Sequence, residues 1–184
     1  LSDYGIKHGD RWHIGKFDPD SPGLQGYGVQ QDHTDYLYEY FYDTGTGQVL
    51  WGYYGTVSGD NGRGDAGDID PRYPGYEVWS FHGVWNGPAG TQTASAAPWP
   101  CLRLWWDGDD LSESYNDGKI EKWDYINSWV SRLVTTWDYE TYKRNDNETP
   151  MFYGDIFGDW REEVIQTSPD YTKLGIFTTD IPTS

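Results

Sequence analysis

A chain of 184 residues with a formal net charge of -17 is long enough to bury a core, yet only 36% of it is hydrophobic and half of that share is aromatic, at 18%. Gly 23 and Pro 10 divide it into short pieces, which disfavours long helices and suits short strands joined by turns. The charge speaks against a nucleic-acid backbone or an anionic membrane surface as partner, because both are met by clustered Lys and Arg, and no apolar run reaches membrane-spanning length.

In chain order, strands are expected at 13–17, 26–30, 36–42 and 48–53, the last pair joined by the hairpin Asp43-Thr44-Gly45-Thr46-Gly47. After the loop 59–64, a second set is expected at 66–70, 77–81 and 84–86, followed by a small, Pro-rich connection over 87–100. A third set reads 102–106, 112–115, 119–125 and 131–136. A polar loop over 139–149 then leads to 151–156, 162–166 and 174–178, with no convincing fourth strand. Cys101 stands alone, so no intrachain disulfide can form. No signal peptide is seen at Leu1, and the opening in mid-pattern suggests a processed or partial chain.

An acidic turn punctuates these sets and recurs. Its clearest copy is Gly67-Asp68-Ile69-Asp70-Pro71-Arg72-Tyr73-Pro74-Gly75-Tyr76-Glu77, where the Pro-Gly step should return Glu77 toward Asp68 and Asp70. Looser copies hold Asp107, Asp109 and Glu113, and then Asp155, Asp159, Glu162 and Glu163. Crowded carboxylates on tight turns suit a hard cation, and Ca2+ takes six to eight oxygens; these residues are the expected Ca2+ ligands. In the first copy Lys16 stands where Asp68 stands and Gln25 where Glu77 stands, so Asp18 and Asp20 are expected to hold no ion. Taking Lys16, Asp68, Asp107 and Asp155 as equivalent anchors gives a period of roughly forty to fifty residues, that of four-stranded propeller blades. The fold class expected is all-β, about four blades with the last incomplete; one irregular β-sandwich is the alternative.

Further residues carry chemistry. His8 precedes Asp10, a pairing suited to a metal or a cleft. Arg63 sits between glycines in a loop where a guanidinium could clamp a carboxylate bidentately, or simply pair with a neighbouring Asp. Exposed Trp and Tyr faces can stack on sugar rings, although most are expected in the core. Asn147-Glu148-Thr149 is an N-glycosylation sequon at Asn147 and points weakly to secretion.

In order along the chain, His8-Gly9-Asp10, Phe17-Asp18-Pro19-Asp20, Gly62-Arg63-Gly64, Asp68-Ile69-Asp70-Pro71-Arg72-Tyr73-Pro74-Gly75, Trp105-Trp106-Asp107-Gly108-Asp109, Gly158-Asp159-Trp160-Arg161-Glu162-Glu163-Val164 and Thr178-Thr179-Asp180-Ile181-Pro182-Thr183 resemble the rhamnogalacturonan lyases of polysaccharide lyase family 11. The resemblance implies a fragment, 1–184, of one secreted, calcium-studded catalytic β-propeller, eight-bladed in the parent. It implies β-elimination on an acidic pectic polysaccharide, with Arg63 facing the uronate carboxylate and His8 near an active-site metal. The substrate-binding loop would be Asn145, Asp146 and Asn147. Two positions depart from the family: Gln30 stands where a cleft histidine is expected, and Asn147 where a lysine is. A glycan-binding propeller without catalysis is therefore the second reading. A structural, self-associating one, whose partners are the remaining blades or other copies of the chain, is the third.

Overall fold

Fifteen strands form four antiparallel sheets in the computed structural model, which describes residues 6–31, 36–57, 60–142 and 149–182. The first sheet is β1 (Gly9–Gly15), β2 (Gln25–Gln30), β3 (Leu37–Asp43) and β4 (Val49–Tyr54), and the second is β5 (Gly64–Gly67), β6 (Glu77–Ser80), β7 (Gly83–Asn86) and β8 (Thr91–Ala94). The third is β9 (Leu102–Leu104), β10 (Glu113–Asn116), β11 (Lys119–Asp124) and β12 (Trp129–Thr135), and the last has only β13 (Phe152–Gly154), β14 (Glu163–Thr167) and β15 (Leu174–Phe177). Each strand pairs with the one before it, which is the up-and-down order of propeller blades. The all-β expectation holds, and among the described residues the last sheet has three strands. Among the described residues no helix is long and apolar enough to cross a membrane.

The connection expected over 87–100 in fact carries β8. Thr91-Gln92-Thr93-Ala94 has no large apolar side chain to announce a strand. It is a half-exposed edge, held to β7 through Asn86↔Thr91 and Trp85↔Gln92.

The chain divides into two units, Leu1–Pro100 and Cys101–Ser184, each with its own core. In the first, Phe17, Tyr27, Val29, Phe41, Ala66, Val78 and Trp85 pack together, and Trp51 stacks on Phe41 at 5.6 Å and 7°. The aromatic excess supplies the area that scarce aliphatics cannot, at about 25 cal/mol per Å² removed from water. Glycines on β2 make room for it. Gly26 and Gly28 pair with Tyr42 and Tyr40, whose rings lie where a Cβ would sit, at 2.2 and 2.6 Å. In the second unit Leu104, Trp106, Tyr115, Ile120 and Val164 form the core.

Candidate functional site

The acidic turns join the first and second strands of their sheets, and one side chain closes each. Glu77, the first residue of β6, is buried and accepts the backbone N–H groups of Ile69 (3.2 Å) and Asp70 (2.9 Å). Glu113, first in β10, accepts those of Trp106 (2.8 Å) and Asp107 (3.3 Å), and Glu163, first in β14, those of Ile156 (2.8 Å) and Phe157 (3.3 Å). In the first sheet Gln25, first in β2, does the same through Oε1 to Phe17 (3.1 Å) and Asp18 (2.9 Å). A buried amide must find an acceptor, and one side-chain oxygen here satisfies two. The repeat is therefore a keyed turn.

Alignment on the key corrects one expected anchor. Lys16, Asp68 and Asp155 share a place one residue before the first keyed amide, but the third copy has Trp105 there. Asp107 instead matches Asp18 and Asp70. Within each unit, the residue before the key also ties the turn to the preceding sheet. Tyr76 N–H donates to the Phe17 carbonyl (2.9 Å), and Glu162 N–H to that of Trp105 (2.7 Å). Gly75 makes the first approach feasible: at φ +85, a Cβ there would lie 2.3 Å from the Phe17 carbonyl oxygen.

The carboxylates fare differently from turn to turn. Asp107, Asp109 and Glu113 each place an oxygen within 4.8 Å of the others, and no other such group of three occurs among the described residues. Lys122, reaching over from β11, donates to all three, at 2.7 Å to Asp109 and 3.0 Å to Glu113. Burial pulls the Lys122 ammonium down, but the three carboxylates outweigh it and its pKa is raised. Burial pushes Glu113 up to about 7 against the attraction of Lys122. The donor set is all oxygen and anionic, so these three residues fit a hard divalent cation once Lys122 swings away.

In the second turn Glu77 comes back toward Asp68 and Asp70 as expected, and burial together with those two charges pushes it up to about 8. Asp70, however, is gripped by Arg72, through Nε (2.8 Å) and Nη2 (2.7 Å). In the fourth, Asp159 pairs with Arg161, and Glu162 accepts the Trp105 N–H (2.9 Å), leaving Asp155 to bond backbone amides of its own loop. In the first, Lys16 donates to the Ser21 carbonyl and Asp18 caps the Asp20 N–H (2.9 Å).

His8 and Arg63 lie at the other end of the first unit. Backbone bonds connect them: Gln31 N–H to His8 O (2.9 Å), Asn61 N–H to Gln30 O (3.1 Å), Arg63 N–H to Asn61 O (2.8 Å). Asp10 is exposed, beside the register shift between Gly9 and Arg11. Arg63 is half-buried, and its guanidinium meets no carboxylate among the described residues, unlike those of Arg72, Arg132 and Arg161. Gln30 is buried and donates to the Leu37 carbonyl (2.6 Å) while accepting Lys7 N–H (2.6 Å). Asn145, Asp146 and Asn147 lie outside the described residues.

Sequence reading gave no role to three groups. Glu39 is fully buried, bonded by the Tyr27 hydroxyl and by Ser80 Oγ (3.0 Å), and desolvation pushes it up to about 7. His13 bonds the Gly64 carbonyl (2.9 Å) and approaches buried Asp65 (3.7 Å). Lys122 carried no motif at all. The key was the signal within reach: a Glu or Gln seven or eight residues after the first amide it accepts, four times over.

A family model described as the rhamnogalacturonan lyase family 11, C-terminal domain, matches residues 1–184. The chain is 42% identical over 180 residues to the rhamnogalacturonan endolyase YesW of Bacillus subtilis (strain 168), covering 97% of this chain and 28% of that protein. It is 34% identical over 193 residues to the rhamnogalacturonan exolyase YesX of the same organism, at 95% and 31%. The crystal structure of YesW superposes with a TM-score of 0.89 over 97% of this chain and 30% of that one, at 40% identity. A Bacillus licheniformis rhamnogalacturonan lyase superposes at 0.87 over 96% and 30%, at 37% identity. The chain thus spans less than a third of the relatives it matches.

Proposed function

The chain belongs to rhamnogalacturonan lyase family 11, and from that premise we propose that its protein cleaves rhamnogalacturonan-type pectic polysaccharide by β-elimination, with 1–184 as part of one catalytic propeller. In this reaction the proton on C5 of the uronate leaves to a base, the C4–O bond breaks, and a C4=C5 double bond forms. The uronate carboxylate must be neutralised before that proton becomes acidic. Arg63 supplies the charge. The observation that carries this reading is that Arg63, a half-buried residue at the His8 end, has a guanidinium meeting no carboxylate among the described residues of a strongly acidic chain. His8 and Asp10 orient substrate or hold an ion beside it, and Asn145, Asp146 and Asn147 contact the polymer.

Ca2+ is proposed at Asp107, Asp109 and Glu113, where the donors fit, and at Asp68, Asp70 and Glu77 and Asp155, Asp159, Glu162 and Glu163, where rearrangement must precede it. A bound Ca2+ would supply positive charge that pins the turn. Secretion follows from an extracellular polymer as substrate, with a glycan at Asn147 where the host glycosylates.

Unsaturated uronate absorbs near 235 nm. Arg63→Ala should lower the rate of that signal on rhamnogalacturonan by about a thousandfold, and Arg63→Lys by less. An unchanged rate in Arg63→Ala would remove Arg63 from the chemistry. Gln30 favours a second reading, a glycan-binding propeller without catalysis. Its amide is spent inside the fold, where the family resemblance expects a cleft histidine. Binding without any 235 nm product would establish it.

A further inference from the structure

A second place suited to sugar lies in the second unit. Trp105, Asp110 and Trp160 line a cleft of about 380 Å³. Both tryptophans are anchored through their main chains. The Trp105 backbone is clasped on both sides by Glu162, its N–H donating to Oε2 (2.9 Å) and its carbonyl accepting Glu162 N–H (2.7 Å). Arg103 stacks on the ring, its guanidinium carbon 4.4 Å from the centroid. Trp160 stands at φ 72 with its N–H bonded to Asp155 Oδ2 (3.1 Å), and the residue is 42% exposed. A left-handed backbone at a bulky residue is uncommon and needs support from its surroundings. Here that support presents a large apolar side chain to solvent.

We propose that this cleft is a binding subsite for an uncharged sugar ring of the polymer or its branches. It rests on the function proposed above only for the kind of polymer. The occupant follows from chemistry. Indole faces pack against the C–H face of a pyranose. The Asp110 carboxylate only accepts hydrogen bonds, so it matches neighbouring hydroxyls, which donate. A uronate would bring its own carboxylate against that of Asp110, the one charged group lining the cleft, whereas Asp107 and Asp109 of the same turn are already engaged by Lys122. The subsite therefore selects against the charged sugar that Arg63 selects for. It also lies after the first strand of its sheets, whereas His8 and Arg63 precede the first strand of theirs.

The test is calorimetric titration of the complete protein with a neutral galactose tetrasaccharide and, separately, with tri-galacturonate. The neutral probe should bind, and Trp160→Ala should weaken it about tenfold while leaving trigalacturonate affinity and the 235 nm rate on short substrate unchanged. Asp110→Asn should admit trigalacturonate at the cleft, seen as a second binding event abolished by adding Trp160→Ala. Trp160 is exposed, so its loss should not unfold the chain, and Asp110→Asn preserves shape in any case. The proposal is overturned if Trp160→Ala leaves neutral binding intact, if it weakens both probes equally, or if tetramethylammonium displaces the tetrasaccharide. A protein that makes no 235 nm product yet shows the Trp160-dependent binding loses the lyase reading and keeps this one.

Discussion

The second and third turns share one key and differ in everything placed upon it. In both, a buried glutamate opens a second strand and accepts two amides from the end of the first. In the second turn the neighbouring carboxylate is gripped by an arginine two residues away, on the same loop. In the third, the cation comes from another strand, and three carboxylates converge on it. A repeated string of letters thus fixed a backbone shape, while the charge pairing of the two copies was set by where the nearest Lys or Arg happened to be rooted.

The sharpest way to break this comparison is at the key itself. Glu77→Ala leaves two buried amides without an acceptor and should lower stability by about 3 kcal/mol in urea unfolding. Glu77→Gln should cost under about 1 kcal/mol, because Gln25 already performs the task in the first sheet. Equal damage from both would mean that charge, rather than amide satisfaction, is what Glu77 provides.

Glu39 sharpens the contrast from another side, as a buried carboxylate bonded by hydroxyls instead of amides. Its carboxyl rises from 4.5 to about 7 on folding, chiefly by desolvation. The folded state therefore holds an extra proton between those values. Stability should fall by about 3 kcal/mol through this group as pH climbs from roughly 4.5 to roughly 7 and level off above. Glu39→Gln should make that slope shallower in a pH series of melting curves, with Glu77 and Glu113 carrying the remainder; an unchanged slope would mean that Glu39 does not titrate in this window.

The smallest effects concern the ion. Without calcium, Lys122→Met leaves three carboxylates facing one another and should cost about 1–2 kcal/mol. Saturating Ca2+ should restore that loss, with calcium affinity at this turn rising about tenfold by calorimetry. Asp18→Ala should leave calcium stoichiometry unchanged, since Lys16 occupies the first turn; a lost equivalent of calcium would reverse that assignment.

The sheets were legible in the sequence because aromatic runs and turn residues alternate cleanly, as at Tyr38 to Tyr42 before Asp43. β8 was not, because Thr91 to Ala94 is held by backbone pairing and by polar side chains, Gln92 to the His82 carbonyl (2.9 Å) and Thr93 to that of Val84 (3.3 Å), with no apolar pattern to mark it. The acidic residues were legible as a group, yet the partners that decide their fate were not. Lys122 lies nine residues beyond Glu113 on another strand, and nothing in its neighbours marks it. Glu162 could be read only as one more acid, although its carboxylate holds the main chain of Trp105 fifty-seven residues away.

Because the latch engages main-chain amides, it is indifferent to whether its own head group is a carboxylate or a carboxamide. Each copy can then drift freely in the residues outside the latch, gaining or losing a charge without loss of register. Gene duplication followed by such drift would leave one scaffold carrying unlike loops, and it makes the intervals 18–24 and 107–112 natural places to graft a foreign ion-binding loop.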